Sequence, residues 1–556
     1  MKALLFFLSI TLKENNCMNY YIINNASRAA TYGIGTYVRQ LTKILKKQIS
    51  LQLFFIDLYT EEKEFTITKD EDDLTHYKIP MASSRIEDEK YCRMTYYLLS
   101  PYLSDTEPEI FHFNYFQHYP LALLLKAKNI HHRIFLSVHY LNWCFDLNGN
   151  VTKFQNIIKA KEYVDEFRPI VHEFLQNKHF LHLSDKIIVL SQFCKNLLLS
   201  DYEISPKKLQ LVYNGLQEEP SDYQVIEGNA PLILFVGRLD KIKGVNYLIN
   251  SFRLVLKRHK DARLVIVGDG DYNEYLKLCK DIWDKVFFTG KIPPKELINF
   301  YRQASVGILP SFHEQCSYTA IEFMMHGIPL IGTDSTGLSE MLDCVPHLRV
   351  HIQETNCSAT DFTTNLANAI CSLLENKAAR LIASKKMKRQ FKEKYTLQVM
   401  EEHMKVLFKQ EKIHSYTIPL SEDFFQELDS YMISLIHDKA NIDTDFYGMA
   451  GIGVYLWWRL GQTDLMQNEA QSYKIKEYLI YYFDWFYETL ITTQKDSCER
   501  ELAITLKEIH SIGFYKTRVE ILIELLHCCK YVGENFETLS PTVILQNTIR
   551  MFTTKI

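Results

Sequence analysis

Two glutamates eight positions apart, Glu314 and Glu322, stand in LPSFHEQCSYTAIEFMMHGIPLIGTD (309–334), where an apolar run gives way to a loop and then to a short helical stretch. A packed interior needs neither carboxylate. Ser317 can cap the helix, Gly327 stops it, and Pro329 prevents its resumption. Glu314 therefore falls at the carboxyl end of a strand, and Glu322 on the second turn of the helix that follows. Carboxylates so placed can accept hydrogen bonds from vicinal hydroxyls, as on a sugar or a ribose. Their separation does not suit a proton-sharing dyad. The bland alternative is a capping glutamate and a solvated helix glutamate.

LILFVGRLDKIKGVNYLINSF (232–252) ends a buried strand at Gly237 and then presents Arg238 and Lys243 before a helix. Two cations on a glycine-flanked loop suit a diphosphate, arginine as a fork and lysine as a point charge. TYGIGTYVRQLTKIL (31–45) puts Gly33 and Gly35 after a first strand and at a helix start, where backbone N–H groups can approach an anion. The third glycine of the dinucleotide fingerprint is missing. In STGLSEML (335–342), Gly337 and its neighbours offer another anion seat at a helix start. Glu340 either faces the same cleft or favours a helix N-terminus. His139, in SVHY, closes a strand of the first half.

These residues need a scaffold, and the chain supplies the pattern of one. Strand-length apolar runs alternate with amphipathic stretches to about residue 410, which predicts parallel sheets with helices on both faces. Strands are expected at 20–25, 51–58, 109–114, 133–140, 186–191 and 209–215, then at 232–238, 263–270, 285–290, 306–311 and 329–334. The fold class is α/β: two Rossmann-like doubly wound domains, 18–217 and 232–410, joined by a polar linker over 218–231. Residues 415–556 read as a mostly helical appendage.

At 556 residues the chain exceeds one core. A net charge of −4 gives no pull toward nucleic acid. The basic runs KILKKQ (43–48) and KKMKRQFKEK (385–394) read as solvated helix faces, with an anionic membrane surface as the alternative partner. KDEDDL (69–74) reads as a solvated loop. Twelve scattered cysteines without a C-x-x-C pair fit a reducing, cytoplasmic setting. MKALLFFLSITL imitates a signal peptide but leads to no small-residue cleavage site, and it is too short to span a bilayer. Residues 1–17 are read as an upstream start before Met18 or a disordered segment.

Taken in order, GIGTYVRQL, SVHY, SDKIIVLSQF, LVYNGL, FVGRLDKIKG, VIVGDGD, VFFTGKIP and Glu314-x7-Glu322 resemble the retaining nucleotide-sugar glycosyltransferases of family 4, with their GT-B fold. The resemblance covers roughly residues 18–410 and is strongest over 232–340. It implies that Arg238 and Lys243 hold the donor diphosphate, Glu322 the donor ribose, and Glu314 the transferred sugar's hydroxyls. Gly33 and Gly35 would bring backbone to the donor, and His139 would lie near its sugar ring. Ile292 would meet the base largely through backbone atoms. Gly237, Ser317, Tyr318, Thr319, Gly337 and Glu340 complete the implied donor site, while Asn214 and Gly215 would shape the cleft.

The implied co-substrate is a UDP- or GDP-sugar, with no bound cofactor. No metal is required, since the two cations can supply the charge. The acceptor is left open among a saccharide, a lipid-linked glycan and a peptide, with peripheral contact at the membrane's inner face also open. EQCSYTAIE resembles a subgroup associated with bacterial peptide maturation, and YGMAGIGVYL (447–456) resembles helix starts of lanthionine synthetase C-like domains. Gln315, Cys316 and Tyr318 replace the small residues of many relatives, a change that bears on which sugar fits. The rival expectations are an inactive GT-B scaffold that binds a partner through its helical tail, and a GT-B epimerase.

Overall fold

The computed structural model describes residues 17–25, 32–48, 50–81, 88–104, 106–129, 131–160, 165–218, 230–352 and 359–409, together with Ile433, Leu456, Lys474, Ile475, Glu477 and Tyr478. Two compact units divide the chain: Met1–Arg93 with Ser104–Lys412, and Met94–Leu103 with Ile413–Ile556.

The first unit holds two sheets. One comprises β1 (Met18–Asn25), β2 (Leu51–Thr60), β3 (Thr66–Lys69), β4 (Thr75–Pro80), β5 (Ile110–Phe113), β6 (Arg133–Val138), β7 (Lys186–Val189) and β8 (Leu209–Leu211), in the order β3-β4-β2-β1-β5-β6-β7-β8. All neighbours are parallel except β3 and β4. The other comprises β9 (Leu232–Val236), β10 (Arg263–Val267), β11 (Val286–Gly290), β12 (Val306–Leu309), β13 (Leu330–Thr333) and β14 (Arg349–Val350), in the all-parallel order β11-β10-β9-β12-β13-β14. Central strands such as β5 and β12 are buried at every position, as strands covered by helices on both faces must be. The strand order reverses between β1 and β5 and again between β9 and β12. In doubly wound sheets such switch points open a crevice beyond the carboxyl ends of the strands.

The β3–β4 hairpin escaped the sequence reading. It lies at the sheet edge, where TITK buries no residue fully and gives no apolar run. Within KDEDDL, Lys69 ends β3, and the Asp70 carboxylate accepts N–H bonds from Asp72 and Leu74 to make the turn.

Beyond the second sheet the helices Ala359–Glu375 and Lys377–Gln390, a π turn (Phe391–Tyr395) and the helix Leu397–Lys409 lead the chain back to the first. Leu216 bridges Thr396, the Tyr20 and Phe408 rings meet edge to face at 6.2 Å, and Lys47 Nζ lies 2.5 Å from Glu401 Oε2. In the second unit, Met94–Leu103 carries the end of the helix Asp88–Leu99 and the turn Ser100–Tyr102, and the six described residues beyond 409 are helical or buried within helix. Most of the expected appendage, the YGMAGIGVYL motif apart from Leu456, residues 1–16 and most of the expected linker lie outside the described residues. Among the described residues no helix is long and apolar enough to cross a membrane.

Candidate functional site

At the end of β9 the Gly237 N–H donates to Val267 O at 2.9 Å, tying the loop to β10. Arg238 follows, its Nη2 lying 3.0 Å from Asp240 Oδ2. A single turn, Lys241–Lys243, leads to Gly244, whose φ of +66° opens the helix Val245–Arg258. A Cβ there would stand 2.2 Å from Pro310 O, so only glycine lets this loop approach the end of β12 so closely. The approach sets Lys243 Nζ 2.6 Å from Glu314 Oε1, with the two side chains 18% and 11% exposed.

Glu314 is held by its backbone. Its N–H donates to Thr336 Oγ1 at 3.0 Å, and its carbonyl accepts from the Thr336 hydroxyl at 2.8 Å and the Gly337 N–H at 2.9 Å. A Cβ on Gly337 would stand 1.9 Å from Gln315 O. Gly337 therefore fastens the Glu314 loop with the very N–H expected to seat an anion. Ser317 caps the helix Tyr318–His326 by accepting the Ala320 N–H at 3.3 Å, and Gly327 ends it at φ +68°. Tyr318 and Thr319 open that helix. The Tyr318 hydroxyl is buried without a hydrogen-bond partner among the described residues, and Cys316, Tyr37, Arg39 and Glu322 act on it electrostatically. Glu322 is half-buried one turn on and accepts the Tyr301 hydroxyl at 2.6 Å.

Opposite stand the ends of β1, β5 and β6. His139 Nε2 lies 3.0 Å from Asn114 Oδ1, and the Asn114 amide donates to Ile23 O. With the amide oriented this way, His139 donates from Nε2 and keeps Nδ1 as an acceptor. Burial pushes its pKa down to about 3, so the ring is neutral. Tyr37 presses edge to face on it at 4.6 Å. The Tyr37 hydroxyl joins a buried chain, 2.7 Å from Ser137 Oγ, which lies 2.7 Å from His112 Nε2, whose Nδ1 lies 2.6 Å from the Tyr20 hydroxyl. This chain ties the helix Gly33–Leu45 to the strand carrying His139. Gly33 opens that helix facing free space, since a Cβ there meets nothing within 4 Å, and Gly35 is buried two residues on. Tyr140 is pushed up to about 12 by burial, against a lowering influence from Arg238 across the gap. Lys291 Nζ stands 4.6 Å from the centre of the Tyr32 ring, and neighbouring Ile292 packs half-buried on the core.

Glu340 lies in the last turn of its own helix, Thr336–Met341, and reaches the start of another. Its carboxylate accepts the N–H groups of Gln192 at 3.0 Å and Phe193 at 3.2 Å, at the start of the helix Gln192–Ser200 in the first half. Ser191 caps the same helix through the Cys194 N–H and donates to Gln315 Oε1 at 2.7 Å. Asn214 donates to Cys316 O at 2.6 Å. The structure thus brings Lys243 against Glu314 and sets Arg238 on the same loop, while Gly337 and Glu340 hold the walls. Sequence reasoning missed Asp240, Tyr301, Thr336 and Ser191. Asp240 had a signal, two residues after Arg238; Tyr301 had none, because its partner lies 21 residues away.

A doubly wound pair of sheets with a cation–carboxylate pair at the second switch point defines a class, and comparison names it. The family described as Glycosyltransferase Family 4 matches residues 32–219, and Glycosyl transferases group 1 matches residues 230–376. The chain belongs to the family 4 glycosyltransferases of GT-B fold. It is 31% identical over 175 residues to an uncharacterised glycosyltransferase of Methanocaldococcus jannaschii, covering 29% of this chain and 45% of that protein. It is 29% identical over 192 residues to the alpha-monoglucosyldiacylglycerol synthase of Streptococcus pneumoniae, covering 32% and 43%. These matches span less than half the length of either relative. Sucrose-phosphate synthase from Thermosynechococcus elongatus shares the fold at a TM-score of 0.57 and 19% identity, over 71% of this chain and 98% of its own. The E. coli structure described as trehalose-6-phosphate bound with UDP-2-fluoro glucose does so at 0.52 and 12%, over 71% and 99%.

Proposed function

We propose that the protein transfers a sugar from a UDP- or GDP-sugar to an acceptor hydroxyl with retention of configuration and without a metal ion. The observation that carries this reading is the Lys243–Glu314 pair at 2.6 Å, set where β9 and β12 open the switch point. Arg238 and Lys243 hold the donor diphosphate and offset its charge as it leaves. Glu314, already fixed beside Lys243, receives the hydroxyls of the transferred sugar. Glu322 holds the ribose in place of the Tyr301 hydroxyl it now accepts. Neutral His139 offers Nδ1 to a sugar hydroxyl from the other side. The acceptor attacks from the face the diphosphate leaves, through a transition state of oxocarbenium character.

On this reading residues 18–217 form the acceptor domain and 232–410 the donor domain. The acceptor is a saccharide, a lipid-linked glycan or a peptide. The free thiols of Cys144, Cys194, Cys279, Cys316, Cys344 and Cys371 support a reducing, cytoplasmic setting. The test is turnover with a panel of UDP-, GDP- and ADP-sugars in the presence of EDTA, with the product anomer read by NMR. One donor is expected to react with retention, and Lys243→Ala is expected to lower kcat by about 10²- to 10³-fold. A wild-type chain that binds and turns over none of these donors overturns the reading.

A further inference from the structure

The helix Lys377–Gln390 and the π turn after it bury Ala383, Met387, Gln390 and Phe391 against the second sheet's core and turn the opposite face outward. That outward face has two parts. Leu381 and Ile382 are 55% and 56% exposed, and they are the only consecutive large apolar side chains so exposed among the described residues. After them come Lys385, Lys386, Lys388, Arg389 and Lys392, all exposed. Residues 377–395 carry eight Lys or Arg and one Glu, in a chain whose net charge is −4. Glu393 lies 2.7 Å from Arg389 and Glu218 lies 3.4 Å from Lys392, both as exposed pairs that neutralise little. Lys385, Lys386 and Lys388 make no ion pair among the described residues.

We propose that this face docks on a bilayer containing anionic phospholipids, with Leu381 and Ile382 entering the headgroup boundary and the lysines against lipid phosphates. An apolar tip followed by a basic crown is the composition of a helix that lies on a membrane rather than crossing it. The other polyanions and partners fit less well. A nucleic acid duplex meets the cations but offers no apolar phase to Leu381 and Ile382. A second copy related by a two-fold axis sets the same cations against each other. The proposal does not depend on the transferase reading, because none of these residues belongs to the switch-point site.

The test uses the full chain, sedimented with vesicles of phosphatidylcholine alone or mixed with phosphatidylglycerol, at low and physiological salt. Partition is expected onto the anionic vesicles only, and it weakens with salt. Lys385→Gln, Lys386→Gln and Lys388→Gln are each expected to lower the partition coefficient about fivefold. The double variant Leu381→Ser with Ile382→Ser weakens partition at both salt concentrations, while the melting temperature stays at the wild-type level. The proposal is overturned if the chain does not partition, or if the variants partition like the wild type. Tighter retention on duplex DNA than on vesicles, or self-association abolished by the lysine variants, overturns it equally and gives the face to a nucleic acid or to a second copy.

Discussion

Lys243 and Glu314 are in direct contact and largely covered, so each keeps the other's charge tolerable. Removing one leaves its partner charged, covered and unpaired. Lys243→Met and Glu314→Gln should each destabilise the fold, and the double variant should recover part of the loss. A coupling energy of about 1–3 kcal/mol is expected from the double-mutant cycle by urea unfolding. Activity should stay lost in the double variant, because the diphosphate then meets no ammonium. Recovered activity there would make the pair structural only. The buried histidines report on pH instead. Burial holds His112, His118 and His139 near pKa 3 and His313 near 4. The unfolded chain takes up these protons near pH 6.5, so stability is full above that value and falls as pH drops toward 3, by roughly 1.4 kcal/mol per histidine per unit. Neither ring nitrogen of His118 has a hydrogen-bond partner among the described residues. His118→Leu should therefore flatten the decline in melting temperature between about pH 7.5 and pH 5, and an unchanged slope would show that His118 is protonated in the native state.

Thr336 shows how an element can be built around one bond pattern. It holds a φ of +35°, rare for a β-branched residue, and its hydroxyl both accepts from and donates to the Glu314 backbone. Thr336→Val keeps the shape and the strain and removes both hydrogen bonds. A loss of about 1–3 kcal/mol is expected by chemical denaturation, with a raised donor KM because Glu314 is no longer clamped. Wild-type KM at reduced stability would confine Thr336 to packing. The helix that follows Glu314 was legible residue by residue, since Ser317 and Gly327 act through purely local geometry. So were the central strands, whose apolar runs are long because both faces are covered. The β3–β4 hairpin was not, because an edge strand of Thr, Ile and Lys carries no burial signal. The fates of Gly337 and Glu340 were hidden for another reason. Glycine and glutamate at a helix start suit an anion seat and a cap equally well, and only the approach of Gln315 O and of the Gln192 helix decides between them.

The two halves of the first unit meet through groups that complete one another's secondary structure. The helix Gln192–Ser200 has its first three N–H groups taken by Glu340, which bonds two, and by Ser191, which bonds the third while holding Gln315. A helix start left bare would lose these bonds, so the second half stabilises the first only while the two stay together. On the proposed function a donor enters between them, and the return helix Leu397–Lys409, packed on Tyr20 through Phe408, would keep the halves linked as they part. Glu340 thus works as a catch: its carboxylate is partly buried, and burial raises its pKa, but two N–H donors oppose that rise. Glu340→Ala should lower stability by about 0.5–2 kcal/mol, the usual range for a lost cap. It should also enlarge the radius of gyration measured by small-angle scattering of the ligand-free chain, with donor nucleotide restoring the wild-type value. Lower stability at an unchanged radius would reduce Glu340 to a helix cap, and the halves would then be held by the return helix and the Asn214–Cys316 contact instead.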